Sequence, residues 1–278
     1  MGKHDKVDSR EVGLEIGLLM SRFFQNCDDL HYGYWPNGLE VQFSNMGQAQ
    51  ANHSELIISN IPDGTKSILD VGAGAGSLAE KLLKKDYAVD CVSPSRFLSE
   101  RLEEKLSGKF TLYRSKFEDL ETAEKYDLIL FSESFQYIDM NKALDKSLNL
   151  MSENGHLLIC DFFKTDAEGK NPLQAGHKFS AYQQIIRDYP LEQLTEIDIT
   201  ADTAPTIQLL DDFLTNLALP VSELCSKYLN GNHPRLMKIL NWKLGKSIDK
   251  IENRYFKGQM NVEAYLKYET YRLFLYKS

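Results

Sequence analysis

Ile68-Leu69-Asp70-Val71-Gly72-Ala73-Gly74-Ala75-Gly76-Ser77-Leu78 is the stretch that decides the fold. A short apolar run reads as a buried strand, three glycines at alternate positions read as a turn, and Ser77-Leu78 opens a helical pattern. Glycine lets the backbone turn sharply and approach a ligand closely, because no Cβ intervenes. In doubly wound α/β folds, a turn of this kind lies where ligands bind. The spacing is G-x-G-x-G, not the dinucleotide G-x-G-x-x-G, and no Lys-Ser/Thr pair follows as in a P-loop. The turn therefore suits an uncharged part of a ligand better than a pyrophosphate. Asp70, just ahead of it, suits a ligand that carries an ammonium group.

Outward from this stretch, strands and helices alternate. Apolar runs at 67–71, 88–92, 110–113, 126–131 and 156–161 read as buried strands. Helix-like segments at 76–85, 95–107 and 141–152 separate them, with a shorter one near 118–124. Crossovers of that length predict a parallel sheet covered on both faces. A further helix is expected over 175–189, a strand over 194–200, a long helical region over 206–256 and a closing strand over 271–276. The expected architecture is α/β: a Rossmann-like, seven-stranded, mostly parallel sheet. Upstream, Asp8 and Glu11 form a capping-box pattern, and Val12, Ile16, Leu19 and Phe23 recur at helical spacing over 9–25. An aromatic loop, Leu30-His31-Tyr32-Gly33-Tyr34-Trp35-Pro36, leads to a second helical stretch at 44–59. The expected division is an N-terminal helical lid (1–60), the α/β core (61–205), a helical cap (206–268) and the final strand of the core (269–278).

A chain of 278 residues buries a sizeable core without disulfides or metals. Its net charge of −8 disfavours duplex nucleic acid as a partner, since phosphate neutralisation needs clustered cations. Cys27, Cys91, Cys160 and Cys225 are too widely spaced for a metal or disulfide motif, and they read as reduced residues of a cytoplasmic protein. No apolar run approaches the ~18 residues that a membrane span needs, and no signal peptide is apparent. Arg235, Lys238, Lys243 and Lys246 form a modest basic face, read as solvated charge.

The segment ILDVGAGAGSLAEKL, at 68–82, resembles motif I of the class I S-adenosylmethionine (SAM) dependent methyltransferases. Tyr126-Asp127-Leu128-Ile129-Leu130-Phe131-Ser132-Glu133-Ser134-Phe135 is similar to that family's fourth-strand motif, and Asn154-Gly155-His156-Leu157-Leu158-Ile159 to its turn and fifth strand. The resemblance covers about residues 60–165. It implies an antiparallel last strand, SAM as cofactor and S-adenosylhomocysteine as product. It also implies that Asp70, Gly72, Ala73 and Gly74 line the methionine part. Ser132, closing the fourth strand, joins the cofactor set, as does Tyr34 of the aromatic lid. The family usually has an acidic residue at the tip of its second strand; here Ser93 stands there, with Asp90 three residues earlier as the reserve. Phe117 is expected to flank the adenine and Glu118 to accept its amino group, although Lys116 stands where the family often has Asp.

Methyl transfer from a sulfonium is an in-line displacement that needs position and electrostatics more than acid catalysis. A base is needed only where the acceptor must lose a proton. His177, after the fifth strand, and His31, in the aromatic loop, are the catalytic candidates, because imidazole titrates near neutrality. Asp161 is read as a capping residue. The aromatic rings around His31 are suited to shield a sulfonium by cation–π attraction. The expected activity is methylation of a small hydrophobic or aromatic metabolite, at O, N or C. Two rivals stay open: a lipid or isoprenoid carbon methyltransferase, and a SAM-binding protein without transfer, which the missing acidic tip at Ser93 favours. A monomer and a dimer are both compatible with the sequence.

Overall fold

A computed structural model describes residues 9–25, 27–106, 110–169, 171–173, 176–235, 237–238, 242–243, 245 and 260–278. The capping pair at Asp8, and the parts of the cap around Leu236, Leu240 and Lys246, lie outside them.

The apolar runs form the strands β1 (Ser67–Val71), β2 (Ala88–Val92), β3 (Leu112–Tyr113), β4 (Tyr126–Ser132) and β5 (Met151–Lys164). The remaining strands are β6 (His177–Lys178), β7 (Glu192–Asp198) and β8 (Glu269–Lys277). The sheet runs β3-β2-β1-β4-β5-β8-β7, with β6 paired to β5. The first five strands are parallel, and β8 is antiparallel to both β5 and β7. Burial on both faces explains the lack of alternation: Leu128, Ile129, Leu130 and Phe131 are all fully buried. Each such side chain contributes about 1.5–3 kcal/mol on leaving water.

The helices are α1 (Ser9–Gln25), α2 (Met46–Ser59), α3 (Ser77–Leu83), α4 (Arg96–Lys105), α5 (Met140–Leu150), α6 (Phe179–Ile185), α7 (Thr200–Phe213) and α8 (Leu219–Asn232), with α9 (Val262–Tyr268) before the last strand. Three of them start on side-chain caps: Ser95 Oγ accepts from Leu98 N–H, Asp139 from Lys142 N–H and Asn261 from Ala264 N–H.

Four expectations shift. His177 and Lys178 pair with β5 in place of opening a helix, so the sheet has a short eighth strand. The fifth strand begins at Met151, because Asn154 (φ +59°) and Gly155 make a bulge within it, where a turn ahead of it was expected. The cap's first helix begins at Thr200, not 206. In α1, Leu18 packs inward with Leu14 on Ala75 and Leu98, while Val12, Ile16 and Leu19 face outward.

The N-terminal segment lies over the carboxyl ends of β1 and β2. Leu18 of α1 packs on Ala75 of the glycine turn. The Glu11 carboxylate accepts Ser95 Oγ–H at 3.0 Å and Phe97 N–H at 3.1 Å, at the start of α4. Trp35 is buried against Met46, Ala49 and Leu209, and its Nε1–H donates to Thr206 Oγ1 of α7. These contacts tie the lid both to the glycine turn and to the cap.

Candidate functional site

The glycine turn joins β1 to α3, and Gly72, Gly74 and Gly76 all have positive φ. Gly72 and Gly74 are glycines for different reasons. A Cβ on Gly72 would lie 2.5 Å from Ser134 Cβ, so protein packing forbids it. A Cβ on Gly74 (φ +58°) would meet nothing within 4 Å, so the space in front of it is open. Gly72 N–H donates to Val92 O at 2.8 Å, and Ala73 N–H to the same carbonyl at 3.3 Å. That carbonyl fastens the turn to the end of β2, and buried Ser93 follows immediately.

Asp70 is 2% exposed, and its Oδ2 has no hydrogen-bond partner. Burial pushes its carboxyl up to about 7. A buried carboxylate without a cation is costly, and this one sits at the end of β1 beside the open turn. An ammonium group placed there supplies the missing charge. The orphaned oxygen and the open face of Gly74 together fit the methionine end of SAM.

The other carried-over residues fare unevenly. Ser132 closes β4, level with Cys160 of β5. Asp90 is occupied elsewhere: it accepts Thr111 N–H at 2.7 Å and Tyr126 Oη–H at 2.9 Å, which leaves Ser93 as the residue at the tip. Phe117 is a core residue, 2% exposed and edge-on to Phe131 at 5.2 Å. Glu118 lines a surface cleft with Lys142, Asp145 and Lys146 of α5, and this geometry lends no support to an adenine contact. Tyr34 N–H is bonded to Ala49 O, and its half-buried ring packs on the main core cluster.

Neither histidine has the geometry of a free base. His177 Nε2–H donates to Ile138 O at 2.8 Å and Phe135 O at 3.2 Å, and its ring lies edge-on to Phe135. It pins the loop after β4, a structural task. His31 Nδ1–H donates to Tyr32 O, and Nε2 lies 3.4 Å from Asp29 Oδ1. Burial alone would lower its pKa, but Asp29, helped by Glu133, raises it. Asp29 is the counterpart: burial opposes its charge, yet His31 and Lys81 hold it well below the usual carboxylate range. Asp29 thus favours the charged form of His31, which makes the ring an electrostatic element more than a proton acceptor. Asp161, fully buried, accepts Gln136 N–H and Phe162 N–H, which is the capping role expected of it.

Glu133 is the residue that sequence reasoning quoted but did not single out. It follows β4 with φ +52°, a conformation that L side chains rarely adopt and that tends to mark functional sites. Its Oε1 accepts Tyr32 N–H at 2.8 Å and Tyr271 Oη–H at 2.9 Å. Burial raises its pKa, against the opposing effects of His31 and these two donors. Tyr271 Oη in turn accepts His53 Nε2–H at 2.6 Å. His53 is neutral: burial and the His31 charge drive its pKa well down, its ring stacks on His31 at 4.5 Å, and its Nδ1 has no partner. Around Glu133 stands an aromatic wall. Tyr32 lies 4.7 Å from Phe162, 6.3 Å from Tyr265 and 6.4 Å from Tyr271, measured between ring centroids. The one sequence signal for Glu133 was its place after the fourth strand, next to the turn that carries Gly72. A polar cleft of about 560 Å³ beside α3 is lined by Arg22, Asp28, Asp29, Ser77, Lys81 and Lys105; Asp28 pairs with Arg22 and Lys105, and Asp29 with Lys81 as well as His31.

Five parallel strands, an antiparallel strand inserted beside the fifth, and an open glycine turn beside an unpartnered carboxylate define the class I SAM-dependent methyltransferase architecture. Comparison with known proteins agrees: residues 47–197 match the family described as "Methyltransferase domain", and the chain belongs to it. An uncharacterized methyltransferase of Bacillus cytotoxicus is 23% identical over 171 residues, 60% of this chain and 79% of that protein. Among solved structures, the [4+2]-cyclase SpnF superposes with a TM-score of 0.66 at 18% identity, covering 97% of this chain and 94% of that one. Geranyl diphosphate C-methyltransferase from Streptomyces coelicolor A3(2), solved with S-adenosyl-L-homocysteine, gives 0.64 at 12% identity, with 98% and 94% covered. The protein is a SAM-dependent methyltransferase. Among the described residues, no helix is long and apolar enough to cross a membrane, and no cluster of side chains could hold a metal ion.

Proposed function

We propose that the acceptor is a small apolar molecule whose methylation leaves a proton to be removed, and that Glu133 removes it. SAM, when bound, supplies the electrophilic methyl group. Asp70, Gly72, Ala73, Gly74, Ser93 and Ser132 are the residues we assign to hold it, with Asp70 balancing the ammonium charge. The aromatic wall of Tyr32, Phe162, Tyr265 and Tyr271 excludes water and favours an acceptor with apolar or π character. Such faces also attract positive charge that develops on an acceptor carbon. Glu133 is buried, with a raised pKa, so its carboxylate is a stronger base than an exposed one. His31 and the donors on Tyr32 and Tyr271 oppose the effect of burial on its charge, and the donors orient it. The observation that carries this reading is the Glu133 carboxylate, held by two donors in a strained backbone conformation at the tip of β4. Among acceptor classes, a carbon or hydroxyl nucleophile on an isoprenoid, lipid or aromatic skeleton fits this wall, and the likeness to a geranyl diphosphate C-methyltransferase supports the carbon reading.

A second reading has one observation in its favour. The similarity to a [4+2]-cyclase extends over 97% of the chain, and it supports a protein that binds SAM and promotes a reaction without transfer. One experiment separates the two. Apolar isoprenoid, fatty-acyl and polyketide acceptors are incubated with labelled SAM, and S-adenosylhomocysteine release is followed together with product mass. S-adenosylhomocysteine release with a methylated acceptor supports the first reading. An isomerised acceptor without release supports the second.

A further inference from the structure

We propose that α8, with the described residues that follow it as far as Lys243, forms a docking face for an anionic lipid surface. The helix α8 is 14 residues long and none of its side chains is buried. An isolated helix of that length is marginal in water, because nucleation is costly and packing normally supplies the stability. This one carries an apolar stripe that is exposed among the described residues. Leu217, just ahead of it, is 49% exposed, followed by Val221 (49%), Leu224 (65%) and Tyr228 (62%). The intervals of four, three and four residues place them on one side of the helix. Trp242, farther along, is 81% exposed.

The charges around the stripe choose its partner. Between residues 214 and 243 the cations are Lys227, Arg235, Lys238 and Lys243, and the single carboxylate is Glu223. The segment is thus net positive in a chain whose formal charge is −8. Lys227 lies on the flank of the stripe, and Arg235, Lys238 and Lys243 are exposed. Two copies of this face brought together would set four cations against four, so charge disfavours self-association through it. A surface of anionic headgroups meets both demands at once. The cations meet phosphate, the aliphatic residues enter the acyl boundary, and Tyr228 and Trp242 suit the interface, where one end is apolar and the other wet. No described helix is long and apolar enough to span, so the face lies on the bilayer and not through it. A π-helical turn at Leu214–Ala218 precedes Pro220, whose ring removes a backbone donor, and it separates exposed α8 from α7, whose Ala204 and Ile207 pack in the core.

The test needs no knowledge of the acceptor, so its failure is distinct from a failure of the proposed reaction. The full chain is mixed with phosphatidylglycerol-containing vesicles and with pure phosphatidylcholine vesicles, at low and at high salt. The chain has two tryptophans, Trp35 at 4% and Trp242 at 81% exposure, so a blue shift of emission reports Trp242 entering lipid. The expected result is co-sedimentation and a blue shift with the anionic vesicles only, weakened by salt. Leu224→Glu should abolish it. Lys227→Glu should weaken it by about fivefold or more, the effect of losing roughly one surface cation. Both variants should keep the wild-type thermal shift with S-adenosylhomocysteine, since they lie at exposed positions of a helix with no buried side chain. If a variant fails to fold, the wild-type comparison of the two vesicle types still decides. The proposal falls if anionic vesicles leave the chain in the supernatant, if neutral vesicles bind it equally, or if sedimentation shows a dimer that Leu224→Glu dissociates without any vesicle binding.

Discussion

Tyr271 Oη donates to Glu133 Oε1 at 2.9 Å, joining the last strand of the sheet to the tip of β4 across 138 residues of chain. The same hydroxyl accepts from His53 on α2 at 2.6 Å. One phenol therefore connects lid, sheet and the strained residue of the site. Glu133 thereby gains a fixed orientation that neither its own strand nor its loop supplies.

Glu133→Gln should leave S-adenosylhomocysteine affinity within about twofold and lower turnover by roughly 10²–10⁴-fold, the range for loss of a general base. Tyr271→Phe should cost less, about 0.5–1.5 kcal/mol, because only one of the two donors to Glu133 is lost. Single-turnover assays on an accepted substrate check both. Equal effects of the two variants would mean that Glu133 only supports the fold.

The two glycines of the turn should separate by mechanism. Gly72→Ala places a Cβ against Ser134 and should lower the melting temperature, because nearby protein atoms must move. Gly74→Ala meets no protein atom, so it should fold with a modest penalty of about 1 kcal/mol for the positive φ. It should nevertheless lose SAM affinity, which calorimetry measures. Unchanged affinity in Gly74→Ala would place the cofactor elsewhere.

Asp70 sets a pH dependence whose sign can be worked out. Its folded-state pKa is raised to about 7 by burial, above the ordinary 3.8. In the ligand-free protein, its proton is therefore retained between about pH 4 and 7, where the unfolded chain has released it. Stability from this group is present below that window and declines as pH rises through it. Binding of an ammonium group requires the ionised form, so SAM affinity should rise with pH up to about 7 and then level off. Well below pH 7 the slope approaches about tenfold per unit. Asp70→Asn should flatten this dependence in a calorimetric titration.

His177→Gln should act on stability rather than chemistry. Losing the ring N–H that serves Ile138 O and Phe135 O leaves carbonyls of the loop after β4 poorly satisfied, at a cost of about 1–3 kcal/mol. Turnover per folded molecule should stay near wild type. A large drop in turnover with an unshifted melting curve would restore the histidine to the acceptor pocket.

The sheet was legible in the sequence because its determinants are local. Runs such as Leu128–Phe131, turn residues and helix-length spacers specify a parallel α/β core without reference to anything distant. The glycine turn was legible too, as the junction between β1 and α3. Other expectations failed where one residue's surroundings come from remote segments. Phe117 looked like a ligand-stacking ring until Phe131 was found at its edge. His177 looked like a base until two carbonyls of the loop after β4 were found on its Nε2.

The sequence by itself determined which segments form strands and helices and where the glycine turn joins them, since these follow from neighbouring residues. Only the tertiary structure decided which titratable groups are free. Asp70 Oδ2 is orphaned, Asp90 is bound to Thr111 and Tyr126, His31 stands beside Asp29, and Glu133 is gripped by residues 32 and 271. Protonation and reactivity depend on the solvation and charges within a few ångströms of a group. Those neighbours are brought together by folding and are not adjacent in the chain.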